Sequence, residues 1–250
     1  MTYCVGLRLD SGLVFMSDTR TNAGVDNIFT FRKMFTWREP GERVITIMTA
    51  GNLATTQAVV SLLGERMAEA GKRDQSIRHA PTMFQVAKIV GATLREVVKN
   101  QTAEGPESAA AAVFSATVIV GGQIEGAEPR LFLVYPEGNF IEASEENPFF
   151  QIGETKYGRP ILLRGYRRDM TFEEAVKLLL LSFDSTLKAN LSVGMPLDLQ
   201  TYRTDSFDAG HEKRFEPDDP YFTYLSRGWG DALNAAIASL DDFSFEAGGE

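Results

Sequence analysis

The sequence predicts an α+β fold, a four-layer αββα sandwich in which two antiparallel sheets are flanked by helices. Along the 250 residues, the predicted elements come in the order strands, helices, strands, helices. Short turns between successive strands favour hairpins, and hairpins imply antiparallel pairing. Two sheets packed together with helices outside would cover every apolar face. We expect one domain over residues 1–250, with a frayed tail at 241–250.

A hairpin is predicted at the start of the chain. Its strands lie at 2–9 and 13–18, around the turn signal Asp10-Ser11-Gly12. If this turn is a three-residue loop, Thr2 and Asp18 share one face as diagonal neighbours, roughly 7–8 Å apart. A shift of one residue in the register would place Asp18 on the other face.

Two further strands precede the first helix. Residues 29–37 alternate, which predicts one continuous strand. Lys33 shares one face of it with four aromatic residues, Phe29, Phe31, Phe35 and Trp37. The signal Glu39-Pro40-Gly41-Glu42 predicts a type II turn, and a strand follows at 43–49.

The remaining elements are predicted from periodicity and turn signals. Helices are expected at about 53–70, 82–101, 171–190 and 219–240. Strands are expected at about 113–121, 130–136 and 139–143. Thr171 and Glu174 are placed for a capping box at the start of the third helix. A loop is expected at 102–111, and turns at Gly121-Gly122 and Glu137-Gly138.

Composition argues against several classes of function. The formal charge of −9 would repel the phosphates of a nucleic acid, so we predict no nucleic-acid partner. Two histidines, His79 and His211, and one cysteine are too few of the usual ligands for a zinc site. No glycine-rich phosphate loop is present. We therefore predict neither a metal nor a cofactor.

The sequence also predicts the surroundings of the protein. No stretch approaches the roughly 20 apolar residues that a membrane span requires, and the start lacks the pattern of a signal peptide. We expect no membrane partner. Cys4 is the only cysteine, so an internal disulfide is impossible and a reducing compartment, the cytoplasm, is expected. Cys4 itself is interpreted as a small buried apolar residue.

Lys33 is a candidate functional residue because its predicted neighbours are apolar. A lysine that faces a core must be paired or lose its charge. Asp18 is the natural partner. In the alternative interpretation, Lys33 extends along the aromatic rings and its ammonium reaches water at the sheet edge.

Thr2 gains a reactive context if Met1 is removed. Its hydroxyl and a free α-amine then belong to one residue. An α-amine has a pKa of about 7.7–8.0, so part of it is neutral near cellular pH and can act as a general base. A nearby Lys33 ammonium would lower that pKa further, and Asp18 would keep Lys33 charged and oriented.

The segment Thr49-Ala50-Gly51-Asn52 is a candidate oxyanion site. It ends a strand and leads into a helix, where unpaired backbone N–H groups point outward. Gly51 lets a carbonyl approach because it has no Cβ. The alternative is an ordinary turn between a strand and a helix.

These residues together resemble the proteasome β-subunit pattern, and most closely that of the Anbu group, the bacterial ancestral β-subunits. The resemblance is sharp over the first quarter of the chain and agrees in element order beyond it. It is carried by Met1-Thr2-Tyr3-Cys4-Val5-Gly6, Ser17-Asp18-Thr19-Arg20, the strand with Lys33 and the Ala50-Gly51 turn.

The resemblance implies an N-terminal nucleophile (Ntn) hydrolase fold, a homo-oligomeric ring or open spiral, and threonine-dependent cleavage of amide or peptide bonds. Thr2 would be nucleophile and base, Asp18 and Lys33 would tune it, and the Gly51 N–H would bind the oxyanion. Arg20 and Ser192 are candidates to support the site or contact substrate. The sequence does not identify an ATPase partner.

Two positions differ from the pattern. Proteasome-type subunits carry a Gly-Ser pair after a central strand, and Gly153-Glu154 puts a glutamate in the place of that serine. The later Asp-x-x-Ser-Gly motif is replaced by Asn190-Leu191-Ser192-Val193-Gly194, which keeps a serine and lacks the aspartate at the expected spacing.

Three hypotheses follow. The first is a threonine hydrolase of peptides or related amides. The second is a non-catalytic assembly subunit, in which Met1 is retained and blocks the amine. The third is a small-molecule amidase with the same chemistry.

Overall fold

Two five-stranded antiparallel sheets lie face to face in this computed structural model, which describes residues 1–23, 27–69, 71, 73–102, 113–208 and 210–245. Sheet I contains, in spatial order, β10 (Phe149–Gly153), β1 (Tyr3–Leu9), β2 (Gly12–Asp18), β11 (Leu197–Arg203) and β12 (Glu212–Phe215). Sheet II contains β5 (Met34–Glu39), β6 (Arg43–Gly51), β7 (Ala116–Ile124), β8 (Arg130–Val134) and β9 (Phe140–Glu142). Strands β3 (Arg20–Ala23) and β4 (Asn27–Thr30) form a separate ribbon.

Helices cover both outer surfaces of the two sheets. The described helices are α1 (Leu53–Ala68), α2 (Met83–Thr102), α3 (Arg159–Gly165), α4 (Phe172–Ala189) and α5 (Pro220–Ala238), with a single 3-10 turn at Arg73–Gln75. Apolar residues of α1 and α2 pack against sheet II, and those of α3 and α4 pack against sheet I. The predicted four-layer αββα sandwich is therefore confirmed. None of the described helices combines the length and apolar character needed to cross a bilayer.

A third apolar layer fills the space between the sheets. Cys4, Phe15, Met48 and Ile119 are among its members, so Cys4 is buried as predicted. Glycine is needed here because a Cβ at Gly121 would lie 2.6 Å from the Phe15 ring. The predicted turn at Gly121-Gly122 is therefore wrong, and both glycines lie inside β7, where Gly121 makes room for Phe15 of the facing sheet and Gly122 for the Val44 carbonyl of β6.

The predicted continuous strand at 29–37 is also wrong. The chain pairs as β4 with β3, leaves regular structure at 31–33, and then joins sheet II as β5. Phe29 is exposed on the ribbon, so the aromatic residues do not form one core stripe. Alternation in the sequence did not reveal that the two halves pair with different strands.

The register of the first hairpin differs by one residue from the predicted register. Leu9 pairs with Gly12, so the turn has two residues, and Cys4 pairs with Ser17 rather than Asp18. Gly12 is the first residue of β2. Only glycine fits there, because its φ is +147° and a Cβ would lie 1.9 Å from the Tyr202 carbonyl oxygen of β11. The shared face predicted for Thr2 and Asp18 is therefore not what brings them together.

The long helices agree with the periodicity, and Thr171 with Glu174 forms the predicted capping box. The Glu39-to-Glu42 turn is also present, with Gly41 at a φ of +76°. The sequence did not predict β3, β10, β11, β12 or α3. Nearly all of the loop predicted at 102–111, from residue 103 onward, lies outside the described residues. The end of the predicted tail, at 246–250, also lies outside them.

Candidate active site

The first residues of the chain lie at the start of β1, beside the edge strand β10 of sheet I. Thr2 is buried immediately before β1, and its carbonyl oxygen accepts the backbone N–H of Glu154 at 2.6 Å. Gly153 has a φ of +83°, and a Cβ there would lie 1.9 Å from the Thr2 oxygen. Only glycine fits this close approach, so the end of β10 fixes the backbone of Thr2.

Tyr3 anchors the next residue in the core. Its hydroxyl lies 2.7 Å from the Ser182 hydroxyl and accepts the side-chain amide of Gln151 at 2.6 Å. Its ring packs on Phe183, with centroids 4.5 Å apart. Burial raises the pKa of Tyr3 to about 12, so the phenol stays neutral. Thr2 therefore sits beside a rigid residue.

The predicted pairing of Lys33 with Asp18 is present. The Lys33 ammonium lies 2.7 Å from Asp18 Oδ1, and their side chains are only 6% and 0% exposed. The alternative in which Lys33 reaches water is excluded by this burial. Asp18 also accepts the backbone N–H groups of Tyr3 at 3.0 Å and Gly194 at 3.3 Å. Asp18 is the last residue of β2, and its carboxylate lies beside the start of β1.

All three N–H bonds of the Lys33 ammonium have acceptors. Besides Asp18, Lys33 donates to the carbonyl of Arg20 at 2.6 Å and to the carbonyl of Met1 at 3.4 Å. The Met1 carbonyl carbon is bonded to the nitrogen of Thr2. The longest of the three contacts is therefore made to the peptide bond that removal of Met1 would break.

The charges at the N-terminus affect one another. Burial lowers the pKa of the Met1 α-amine, and the Lys33 charge lowers it further, against the opposing charges of Asp18 and Glu154. Burial raises the pKa of Asp18, while the Lys33 charge and the hydrogen bonds that Asp18 accepts lower it. An amine at this place loses its proton more readily than one in water.

Gly51 lines the same cavity as Thr2 and Lys33. It ends β6 at a φ of +122°, and a Cβ there would lie 2.4 Å from the Ser115 carbonyl oxygen. Asn52 caps the following helix, because its side chain accepts the N–H of Thr55 at 3.1 Å. The predicted strand-to-helix turn at 49–52 is confirmed.

A cavity of about 460 Å³ joins three of the predicted site residues, Thr2, Lys33 and Gly51. Thr21 and Arg32 also line it. Asp18 lies behind Lys33 and does not line it. Cys4 offers no competing nucleophile, because burial raises the pKa of its thiol.

Arg20 and Ser192 do not line this cavity. The Arg20 guanidinium donates to the Leu191 carbonyl at 2.8 Å and packs on Gly194, where a Cβ would lie 2.1 Å from it. The Ser192 N–H donates to the side chain of Asn190 at 2.9 Å. Ser192 therefore lies in the turn after α4, and Arg20 packs against that turn from β3.

A larger cavity of about 660 Å³ lies between β5 and the strands β11 and β12. None of the predicted site residues lines it. Several of its charged side chains are paired across the cavity lining, as in the two contacts of 2.7 and 2.9 Å between Arg214 and Asp198. Cavity volume alone would not have led to the predicted site residues.

Sequence reasoning missed two features of the site. The backbone contact of Glu154 with Thr2 and the link between Gly194 and Asp18 join segments far apart in the chain. The sequence signal near both contacts was the pair of departures from the family pattern, at 154 and 190. The pattern alone did not show what these two residues contact.

Comparison with known proteins gives a consistent result. The family model described as "Proteasome subunit" matches residues 2–199. Among curated proteins, the chain is 27% identical to proteasome subunit beta 2 of Pyrobaculum neutrophilum over 197 residues, which cover 78% of this chain and 85% of the relative.

Solved structures resemble the whole chain. The Anbu (Gly-1) mutant from Hyphomicrobium sp. strain MC1 is 52% identical, with a TM-score of 0.90 over 98% of this chain and 100% of that one. The helical assembly of the Anbu complex from Pseudomonas aeruginosa is 44% identical, with a TM-score of 0.90 over 98% and 99%. Anbu (ancestral beta-subunit) from Yersinia bercovieri is also 44% identical, with a TM-score of 0.90 over 97% and 100%.

Proposed function

Because the chain belongs to the proteasome subunit family, and within it to the Anbu group, we propose that it is a threonine-type Ntn hydrolase that cleaves amide bonds once Met1 is removed. The observation that carries the proposal is the buried Lys33 ammonium, which donates to Asp18 and to the carbonyl of Met1. Removing Met1 takes away that carbonyl. One Lys33 donor then faces the free amine and hydroxyl of Thr2.

The reaction needs only groups of this chain. The Thr2 α-amine takes the proton of the Thr2 hydroxyl, and the oxygen forms a bond to the carbonyl carbon of the substrate amide. The Gly51 N–H stabilises the oxyanion. When the C–N bond breaks, the amine proton passes to the leaving nitrogen. Water, deprotonated by the same amine, then hydrolyses the Thr2 ester.

The charges that line the cavity bear on the substrate. The two ionisable side chains among its described lining residues are Lys33 and Arg32, and both are positive. A basic substrate side chain would be repelled, so neutral or acidic peptides and acyl amides fit better. A small-molecule amidase uses the same chemistry, and a screen of short acyl amides against peptides separates the two substrates.

We also propose that the chain assembles with copies of itself, as a ring or open spiral. Leu233 and Ile237 lie on one face at the end of α5, Leu240 follows just after the helix, and all three are exposed. The Pseudomonas relative is described as a helical assembly. L233E/I237E should reduce the assembly measured by analytical ultracentrifugation, whereas A235E, on the opposite side of the helix, should not. Unchanged assembly of L233E/I237E would contradict a role for α5.

The test of function uses protein purified from cells and the variant T2A. Intact mass should show the loss of Met1 from the wild type. Hydrolysis of a short-peptide library should be present in the wild type and absent in T2A. Retention of Met1 on all cellular protein would favour the non-catalytic subunit, and equal turnover by T2A would exclude Thr2 as the nucleophile.

A further inference from the structure

The two side chains that depart from the family pattern contact each other beside Thr2. Asn190 ends α4, and its amide nitrogen donates to the Glu154 carboxylate at 2.9 Å. Glu154 is buried, and its own N–H donates to the Thr2 carbonyl. Glu154 is thus fixed to Thr2 through its backbone and to α4 through its side chain.

An asparagine is required at position 190 for this contact. Its amide oxygen accepts the N–H of Ser192 at 2.9 Å, so its nitrogen faces Glu154. An aspartate would still accept from Ser192 but would face Glu154 with a second carboxylate. The same turn returns to the site, since the Gly194 N–H donates to Asp18.

Asp18 alone does not offset the positive charges near the first residue. The ionisable groups that act on the Met1 amine are Lys33 before β5, Asp18 at the end of β2 and Glu154 after β10, and the exposed Arg32 lines the neighbouring cavity. Asp18 already forms an ion pair with the Lys33 ammonium. A protonated Thr2 amine would be one more positive charge, and Glu154 is the remaining carboxylate among these described groups.

We propose that Glu154, oriented by Asn190, is the counter-ion that positions the α-amine of Thr2 and sets its readiness to lose a proton. The inference rests on the proposed function, because it concerns the base of the same reaction. Glu154 acts through the amine and is a positioning residue. Its charge raises the pKa of the Met1 amine in the present structure, and we expect the same direction for Thr2.

The test compares four chains that begin at Thr2: wild type, E154Q, N190D and E154Q/N190D. The pKa of the Thr2 α-amine is measured from the pH dependence of its acetylation, read by mass spectrometry of the N-terminal peptide. This readout does not depend on hydrolysis. The pH profile of kcat/KM and the melting temperature are measured in parallel. E137Q, at an exposed carboxylate in the β8–β9 turn, is the control.

E154Q should lower the pKa of the amine by about one pH unit and move the acid limb of kcat/KM by the same amount. N190D should lower the melting temperature and reduce hydrolysis at least about tenfold, because two carboxylates then share one contact. E154Q/N190D should recover most of both, since glutamine can donate to aspartate. E137Q should change nothing.

Two results would overturn the inference: an amine pKa that is the same in E154Q and wild type, or a double variant no better than N190D. If the wild-type chain hydrolyses nothing while E154Q still shifts the amine, the proposed function fails and the counter-ion role stands. If wild type hydrolyses peptides and E154Q leaves the amine unchanged, the reverse holds.

Discussion

Two buried cations in this molecule have similar exposure and different surroundings. The Lys33 side chain is 6% exposed and its partner Asp18 is 0% exposed. Between α1 and α2, the Arg66 side chain is 7% exposed and forms contacts of 2.9 and 2.7 Å with Glu96, whose side chain is 46% exposed. Arg66 also donates to Thr93 and lines neither cavity described above.

The difference shows which property of a buried charge indicates chemistry. Both pairs hold elements together, and burial does not distinguish them. Lys33 differs because it borders a cavity and donates to the first peptide bond of the chain. A functional role follows from where the donors point, and the Arg66 pair is the internal control for a structural role.

Retention of Met1 should abolish the catalytic role that distinguishes Lys33 from Arg66. Two chains can be released from a cleavable leader, one beginning at Thr2 and the other at Met1. In the second, the Met1 carbonyl occupies a Lys33 donor and no free Thr2 amine exists, so hydrolysis should fall to background. Equal rates of peptide hydrolysis by the two chains would show that the amine is not the base.

Removing each cation should sharpen the comparison. K33M leaves Asp18 buried without its ion-pair partner, which costs about 3–5 kcal/mol of unfolding free energy, and it should lower kcat/KM roughly 10²–10⁴-fold. R66M should lower the unfolding free energy and leave kcat/KM per folded molecule unchanged. Melting curves and kinetics on the same samples separate the two effects. A large loss of kcat/KM in R66M would erase the distinction.

The pH profile should respond to Lys33 and not to Arg66. Burial and the Lys33 charge both lower the pKa of the Met1 amine, and we expect the same direction for the Thr2 amine. The neutral base is then present at lower pH, and the acid limb of kcat/KM should fall below the usual α-amine range of about 7.7–8.0. The midpoint should rise in K33M and stay in place in R66M. A wild-type midpoint above that range would contradict this electrostatic account.

The smallest expected effect concerns Arg32, which is exposed at the cavity. R32Q should raise KM for an acidic peptide by at most about fivefold relative to a neutral one, and added salt should reduce the difference. R38Q, which changes a residue that lines only the larger cavity, should leave the ratio unchanged. A preference that survives R32Q at low salt would remove Arg32 as its source.

The four layers and the long helices could be predicted because periodicity and caps are local signals. Thr171 with Glu174 is an example, since both capping-box bonds lie within four residues. The strands β10 and β11 were missed because they pair with β1 and β2, which lie far away along the chain, and β12 pairs with β11. Gly12 and Gly121 lie in strands, where a Cβ would clash with the Tyr202 carbonyl and the Phe15 ring respectively. These neighbours cannot be recognised from the local sequence.

The geometry around Thr2 was predicted in part. The expected ion pair of Lys33 with Asp18 is present, although the hairpin register and the strand through Lys33 were both wrong. Burial of Lys33 and its pairing with Asp18 did not depend on those details. The contact between Glu154 and Asn190 could not be predicted, because it joins the end of a strand to the end of a helix that packs on the same sheet.

Covalent labelling at Thr2 tests the central claim most directly. The chains beginning at Thr2 and at Met1 are treated with a threonine-directed electrophile, and the modified residue is located by mass spectrometry of the N-terminal peptide. The account predicts stoichiometric modification of Thr2 in the first chain and none in the second. An unmodified Thr2 in the first chain, or equal modification in both, would contradict it.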